Sequence, residues 1–408
     1  MKRLIMLLLL SIAAISSAYS AFSISGDVFS ASPGLREGSN SVREAGMGRS
    51  GSALFDSINY SHSNPSSFAL VDFTVLSSTY SPEIVRSVEN GARSFNFGND
   101  FPNVEMIVPL GRYGVVSGSI VREFRSNSNV SFTDSGYKIS RIGSGGLWSG
   151  RLGYAGHYKK KLFYGVELGS IHGKVTSGRF VKDLPDSNPI LYPSRLQKAE
   201  YSGFLVSGGL SYRTGSLSLA LSAKIPAGAL TVNATRQTIQ YWSTTYDDST
   251  VVTQTEDFTS DAVPASIRFG LAFAPKTRLS LTFDGEAVLH NGKDESLEYY
   301  AGAGAEFRFS DSRDYINYLR NIPIRFGAFY HKIGAFTEAS EAGLALGFSL
   351  PTPGQYGYVN FAVEGFRRFE QSLTDNNAYH EDAGRISVQY VHKGRWGRLR
   401  KAQTGDIQ

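Results

Sequence analysis

A chain of 408 residues without cysteine can form no disulfide and carry no lipid on a cysteine, so burial and hydrogen bonding must hold it together. Charged residues are only 19%, low against the ~25% of ordinary soluble proteins, while 43 glycines and 12% aromatics are plentiful. The formal net charge of +5 falls to +3 without Lys2 and Arg3, which belong to an N-terminal targeting segment, and with no basic stripe behind it nucleic acid is not an expected partner.

Residues 1–20 read as a secretory signal peptide. Lys2 and Arg3 open it, residues 4–15 are apolar apart from Ser11, and Ala18-Tyr19-Ser20 offers small residues for cleavage. No later apolar run approaches the ~18 residues that a membrane helix needs. An exported chain rich in glycine and aromatics, without such a helix, has the composition of a transmembrane β-barrel. A secreted β-sandwich shares that composition, so the pattern along the chain must decide.

Residues 21–42 are rich in Ser, Gly and Pro and read as an extended leader. Residues 43–65 form a glycine-rich stretch with neither strand nor helix period. It is expected to lodge as a plug inside a barrel built by the rest of the chain, so 21–66 is leader and plug, 67–392 the barrel and 393–408 a tail. From Phe68 onward the residues alternate with period two. Leu279, Leu281, Phe283, Ala287 and Leu289 share one face, while Ser280, Thr282, Asp284 and Glu286 share the other. Residues 217–224, 267–273, 299–309 and 386–390 repeat the arrangement. The second face is dominated by Gly, Ala and Ser with isolated charges, which suits a crowded lumen better than a sandwich surface in water.

About fourteen strands are predicted, near 68–80, 94–109, 112–125, 147–158, 162–175, 201–213, 216–226, 266–275, 278–290, 298–310, 322–332, 341–350, 357–369 and 384–392. Short joints at 110–112, 159–161, 214–215, 276–277 and 351–356 face longer ones at 81–93, 126–146, 176–200, 227–265 and 370–383. That alternation places both termini in the periplasm. The joint at 311–321 is longer than its side of the barrel predicts. Tyr80, Tyr113, Tyr158, Tyr201, Tyr212, Tyr299, Tyr330, Tyr358 and Phe369 lie near strand ends, as interfacial girdles require.

The run Arg43-Glu44-Ala45-Gly46-Met47-Gly48, followed by small residues and by Asn64-Pro65 before the first strand, resembles the FadL-type family of outer-membrane transporters for long-chain fatty acids and other hydrophobic compounds. Residues 263–271 with 279–284, and 322–327, resemble later barrel segments of that family. The resemblance implies fourteen strands, an N-terminal hatch in the lumen, a hydrophobic pocket beside it, and lateral release through the wall at a kinked strand. Ser66 stands where the family commonly has alanine, the leader 21–42 is additional, and the chain continues past its last strand.

Gly46, Gly48 and Gly51 match a dinucleotide-binding spacing but lack its strand, helix and acidic residue, so they are read as packing glycines. No Gly-x-Ser-x-Gly elbow and no close histidine pair is present, so neither enzyme nor metal site is expected. The candidate plug and gating residues are Arg43, Gly46, Met47, Gly48, Asn64 and Pro65. The candidate lumen charges are Arg268, Asp284, Glu286, Glu306, Arg308, Arg325 and Glu364, with Glu167, and Arg43 is a candidate partner for one of the acids. The expected function is passive uptake of hydrophobic small molecules such as long-chain fatty acids, by capture in a plug-side pocket and lateral release. The alternative is a non-transporting structural or secretion-accessory outer-membrane barrel. Expected partners are the hydrophobic ligand, outer-membrane lipid and the barrel assembly machinery, without a cofactor.

Overall fold

Period-two alternation becomes a wall of strands in the computed structural model. The structure describes residues 34–37, 41–56, 60–89, 92–134, 137–183, 194–241, 249–260, 263–276, 278–289, 297–309, 322–333, 339–352, 357–370 and 380–394. The expected signal peptide, the joint at 311–321 and the tail beyond Gly394 lie outside these. The strands are β1 (Leu35–Arg36), β2 (Thr74–Tyr80), β3 (Glu83–Glu89), β4 (Ala92–Gly98), β5 (Asn103–Pro109), β6 (Val115–Asp134), β7 (Tyr137–Tyr158), β8 (Leu162–Asp183), β9 (Ser194–Thr214) and β10 (Leu217–Pro226). They continue as β11 (Leu230–Tyr241), β12 (Ser249–Ser260), β13 (Ala265–Lys276), β14 (Leu279–Leu289), β15 (Glu298–Phe307), β16 (Ile324–Lys332), β17 (Ala339–Pro351), β18 (Gly357–Glu370) and β19 (His380–Gly394). No helix among the described residues is long and apolar enough to cross a membrane.

Neighbouring strands among the described residues run antiparallel, and β19 pairs with β2 from Val388–Tyr80 to Gly394–Thr74, closing the sheet into a 14-stranded barrel. Four staves are each built from two segments: β2 with β3, β4 with β5, β10 with β11, and β12 with β13. Each break carries a proline (Pro82, Pro102, Pro226, Pro264), a residue that cannot donate to a ladder and is confined to such interruptions. The stretch 227–265, expected as a loop, is in its described part the hairpin β11–β12. The joint expected at 81–93 likewise holds β3 and the start of β4.

β6 to β9 are 20–22 residues long, about twice what a membrane needs of a tilted strand. Their polarity explains the excess. On β8 the outward side chains Leu162, Tyr164, Val166 and Leu168 are exposed and apolar, and then His172 and Lys174 are exposed and polar. Inward, Glu167 gives way to Ile171 and Val175, both fully buried. The strand is apolar-out below about residue 169 and apolar-in above it, as it would be on leaving lipid for water. Above the switch Phe124, Leu147, Ile171, Val175, Tyr201, Leu205, Leu230 and Val232 form one apolar cluster. Tyr201 belongs to that cluster and is only 6% exposed, so it is not a girdle residue. It lies eleven positions from outward-facing Tyr212 and must therefore face the other way.

Candidate functional site

The first expected strand starts late. Asn64 accepts from Ser66 N through its side chain, Pro65 takes the first helical position, and Pro65–Leu70 becomes a 3-10 helix ahead of β2. Upstream, α1 (Val42–Ala45) is one turn closed by a capping box: Ser41 Oγ accepts from Glu44 N at 3.3 Å, and Ser41 N donates to Glu44 Oε2 at 2.7 Å. These pieces lie on the polar face of the barrel, opposite the exposed Phe283, Phe326 and Leu346.

Backbone meets backbone there because the wall presents glycines to the segment. A Cβ on Gly327 would lie 2.2 Å from the Met47 carbonyl carbon, one on Gly304 2.3 Å from Met47 O, and one on Gly302 2.3 Å from Gly48 O. A Cβ on Gly46 would lie 3.0 Å from Gly347 Cα. Gly48 itself has φ +64° and would thrust a Cβ to 2.4 Å from Ala328 O, so only glycine serves. Further along, Gly165 and Gly209 make room for Pro65 and Asn64. Asn64 also donates to Ser52 O at 3.0 Å and to Ser211 Oγ at 2.9 Å.

Charges hold what the glycines admit. Arg43 grips Glu306 with Nε at 2.8 Å and Nη2 at 3.0 Å, a bidentate pair with both partners buried. Arg325 Nε reaches the same carboxylate at 2.8 Å, and Arg308, 38% exposed at the end of β15, reaches it at 3.0 Å. Asp284 accepts from the backbone N–H of Gly51 at 3.1 Å and of Ser52 at 3.0 Å. Arg268 pairs with Glu286 at 2.8 Å and donates to Ser63 Oγ at 3.0 Å. Glu364 takes Arg49 Nε at 2.7 Å, and Glu341 takes Arg49 Nη1 at 2.6 Å. Met47 is fully buried, and Glu167 lies 3.6 Å from Arg151.

Several members of this network do not stand out in the sequence. Arg49, Glu341, Arg368 and Arg385 extend it: Arg368 joins Glu341 at 2.7 Å and Glu381 at 3.0 Å, and Arg385 joins Glu83 at 2.7 Å. Strand parity is the signal that finds Arg385, since Ile386, Val388 and Tyr390 point outward. The leader contributes Arg36, paired to Glu286 and 3.4 Å from Glu298, and Glu37, 3.1 Å from Arg125. His62 lies 2.8 Å from Glu105 with both side chains 1% exposed. Burial, the largest single influence, opposes charge on the imidazole, but Glu105 and Glu44 together favour it, so the pKa of His62 is raised above 6.5.

Cavities of about 20 and 70 Å³ lie in this interior among the described residues. The smaller is lined by Lys224, Arg268, Glu286, His62 and serines, and the larger by Arg49, Arg125, Glu341, Glu364 and Arg385 among others. Both touch Arg36 and Glu37.

The family described as BamG matches residues 1–403. The chain belongs to the BamG family. No curated protein is matched by its sequence. Among solved structures, this BamG-family chain has the fold of a Pseudomonas aeruginosa FadL homologue, with TM-score 0.57, 11% identity, and 88% of this chain and 99% of that one covered. It is similar to the P. putida toluene transporter TodX at TM-score 0.56 and 13% identity, covering 88% of this chain and 99% of that one. The Ralstonia pickettii toluene transporter TbuX gives 0.55 and 14%, covering 81% and 92%.

Proposed function

We propose that this BamG-family chain is a non-transporting accessory barrel of the outer membrane, with both termini periplasmic and residues 41–71 acting as a fixed plug, and that it works alongside the barrel assembly machinery to which the family's name points. The observation that carries this reading is the interior itself. Buried acids and arginines tie the N-terminal segment to strands around the barrel, and the cavities of about 20 and 70 Å³ between them, among the described residues, are lined mainly by charged and hydroxyl groups, with Leu35, Val42, Ala45 and Ile333 also bordering the larger. A hydrophobic ligand asks for roughly 300–1,000 Å³ of mainly apolar lining. Seating one here would strip partners from buried charges at several kcal/mol each, by order of magnitude. A barrel filled in this way offers surfaces and rigidity to other proteins.

A second reading, passive uptake of hydrophobic compounds such as fatty acids with lateral release, is favoured by one feature. The stave β4/β5 breaks at residues 99–102, and among the described residues β5 but not β4 has a ladder with β6. Partition of an acyl chain would drive such uptake at ~0.8 kcal/mol per buried CH₂.

Gentle detergent extraction followed by mass spectrometry separates the two. The accessory role predicts cross-linked outer-membrane assembly proteins and no stoichiometric lipophile. A hydrophobic ligand recovered at one per barrel, with uptake of labelled fatty acid into vesicles, would overturn it.

A further inference from the structure

The edge of β6 that faces β4 and β5 finds different partners along its length. The β5 ladder ends at Asn103–Val121, and Arg122 N then donates to Pro102 O at 2.8 Å. Further up, β4 contributes side chains: Asn96 Nδ2 reaches Asn127 O at 3.3 Å, and Ser94 Oγ reaches Asn129 O at 3.2 Å. Between these lie Glu123 to Arg125, where β6 bulges against β7. A bare strand edge inside a protein is costly, and strand edges readily accept another chain. Here β1 takes the place. Glu37 N donates to Glu123 O at 3.0 Å, and Arg36 and Leu35 pair antiparallel with Phe124 and Arg125.

The side chains of this short strand enter two opposite fields. Arg36 meets the acids Glu286 and Glu298, while Glu37 meets Arg125 at 3.1 Å and Arg385 at 3.6 Å. Gly34 closes against the wall with φ +145°, where a Cβ would lie 2.3 Å from Arg125 O. Little apolar burial holds the segment: Leu35 is its one buried apolar side chain, and both cavities border Arg36 and Glu37.

We propose that the Glu123–Arg125 edge is a strand-addition site for an extended peptide carrying a basic residue followed by an acidic one, and that residues 34–37 occupy it in cis as an exchangeable ligand. Main-chain bonds supply affinity in this mode, and the pockets beside the strand supply specificity. The tether holds the cis segment at an effective concentration on the order of millimolar, so a peptide in trans binds well only when that segment is removed or unseated. Strand addition at this edge is compatible with an accessory barrel and with a transporting one.

The test uses the full chain, a chain lacking residues 21–37, and the full chain with Gly34→Val, which unseats β1 while keeping every charge. A fluorescent peptide Pro-Gly-Leu-Arg-Glu-Gly is titrated into each in detergent, with the heat-dependent gel shift as the control for folding. The shortened chain and Gly34→Val should bind saturably, at least roughly tenfold tighter than the unaltered chain. Exchanging the peptide's Arg for Glu should cost roughly tenfold or more, as should Glu286→Gln with Glu298→Gln in the barrel. If the shortened chain misfolds, Gly34→Val carries the comparison. Absence of saturable binding to a folded Gly34→Val barrel, or binding indifferent to the Arg-to-Glu exchange, overturns the proposal.

Discussion

Replacing Glu306 by glutamine should loosen the N-terminal segment without unfolding the barrel. The carboxylate accepts from Arg43 at 2.8 and 3.0 Å, from Arg325 at 2.8 Å and from Arg308 at 3.0 Å. Glutamine keeps one acceptor oxygen and turns an NH₂ towards donors, so Arg43 Nη2 loses its partner and two buried guanidinium groups face each other without the carboxylate that both of them contact. The Arg308 contact is 38% exposed, screened by water, and adds little. Removing one partner of a buried ion pair costs about 3–5 kcal/mol. Undocking carries Arg43 away from Arg325, so that cost falls on the docked state. Amide hydrogen exchange followed by mass spectrometry reads it directly: protection over residues 42–52 should drop by roughly two to three and a half powers of ten, limited by the docking free energy itself. Protection in β14 to β18 should stay. Adding Arg43→Met should recover part of the loss by removing one stranded charge. Unchanged protection at 42–52 in a folded Glu306→Gln barrel would refute the idea that this ion cluster holds the segment.

Gly327→Ala places a Cβ at 2.2 Å from the Met47 backbone and should expel the segment with no change in charge, whereas Gly365→Ala meets nothing within 4 Å and should be silent in the same exchange experiment. Deleting residues 43–65 should leave a heat-modifiable barrel that admits small sugars in a liposome-swelling assay, and a tight deleted barrel would sink the plug reading. The His62–Glu105 pair gives a pH dependence. Because the folded pKa of His62 is raised above 6.5, its contribution is fully present below about pH 6.5 and is lost as pH rises through the folded value. The melting temperature should therefore fall as pH rises above about 6.5, and His62→Gln should flatten that slope.

Period-two counting is enough to separate the faces of β13 to β16. Arg268, Asp284, Glu286, Glu306 and Arg325 fall on the inner face from their apolar neighbours alone, and all are buried. Arg385 is equally legible by parity. Counting fails where polarity changes sides. Above about residue 169 on β8 the inward residues become the apolar ones, so the ladder that announces a strand dissolves, and 126–146 and 176–200 look like loops although strands run through much of both. The prolines at 82, 102, 226 and 264 are visible, but a proline marks an interruption without saying that the same stave resumes beyond it.

The wall is written in the residues alone: an alternation of apolar and small side chains whose period is a property of the extended backbone, needing no knowledge of neighbours. So is the capacity of residues 43–65 to pack closely, since the absence of a side chain on glycine is a local fact. Which group lies against which is another matter, and it took the closed barrel to settle it. Arg43 and Glu306 are 263 residues apart, and Arg36 and Glu286 are 250. A charge carries no address for its partner along the chain, and barrel closure is what brings each pair into contact. The same closure leaves β6 with an edge that β5 does not cover, and so gives the leader segment at 34–37 its place.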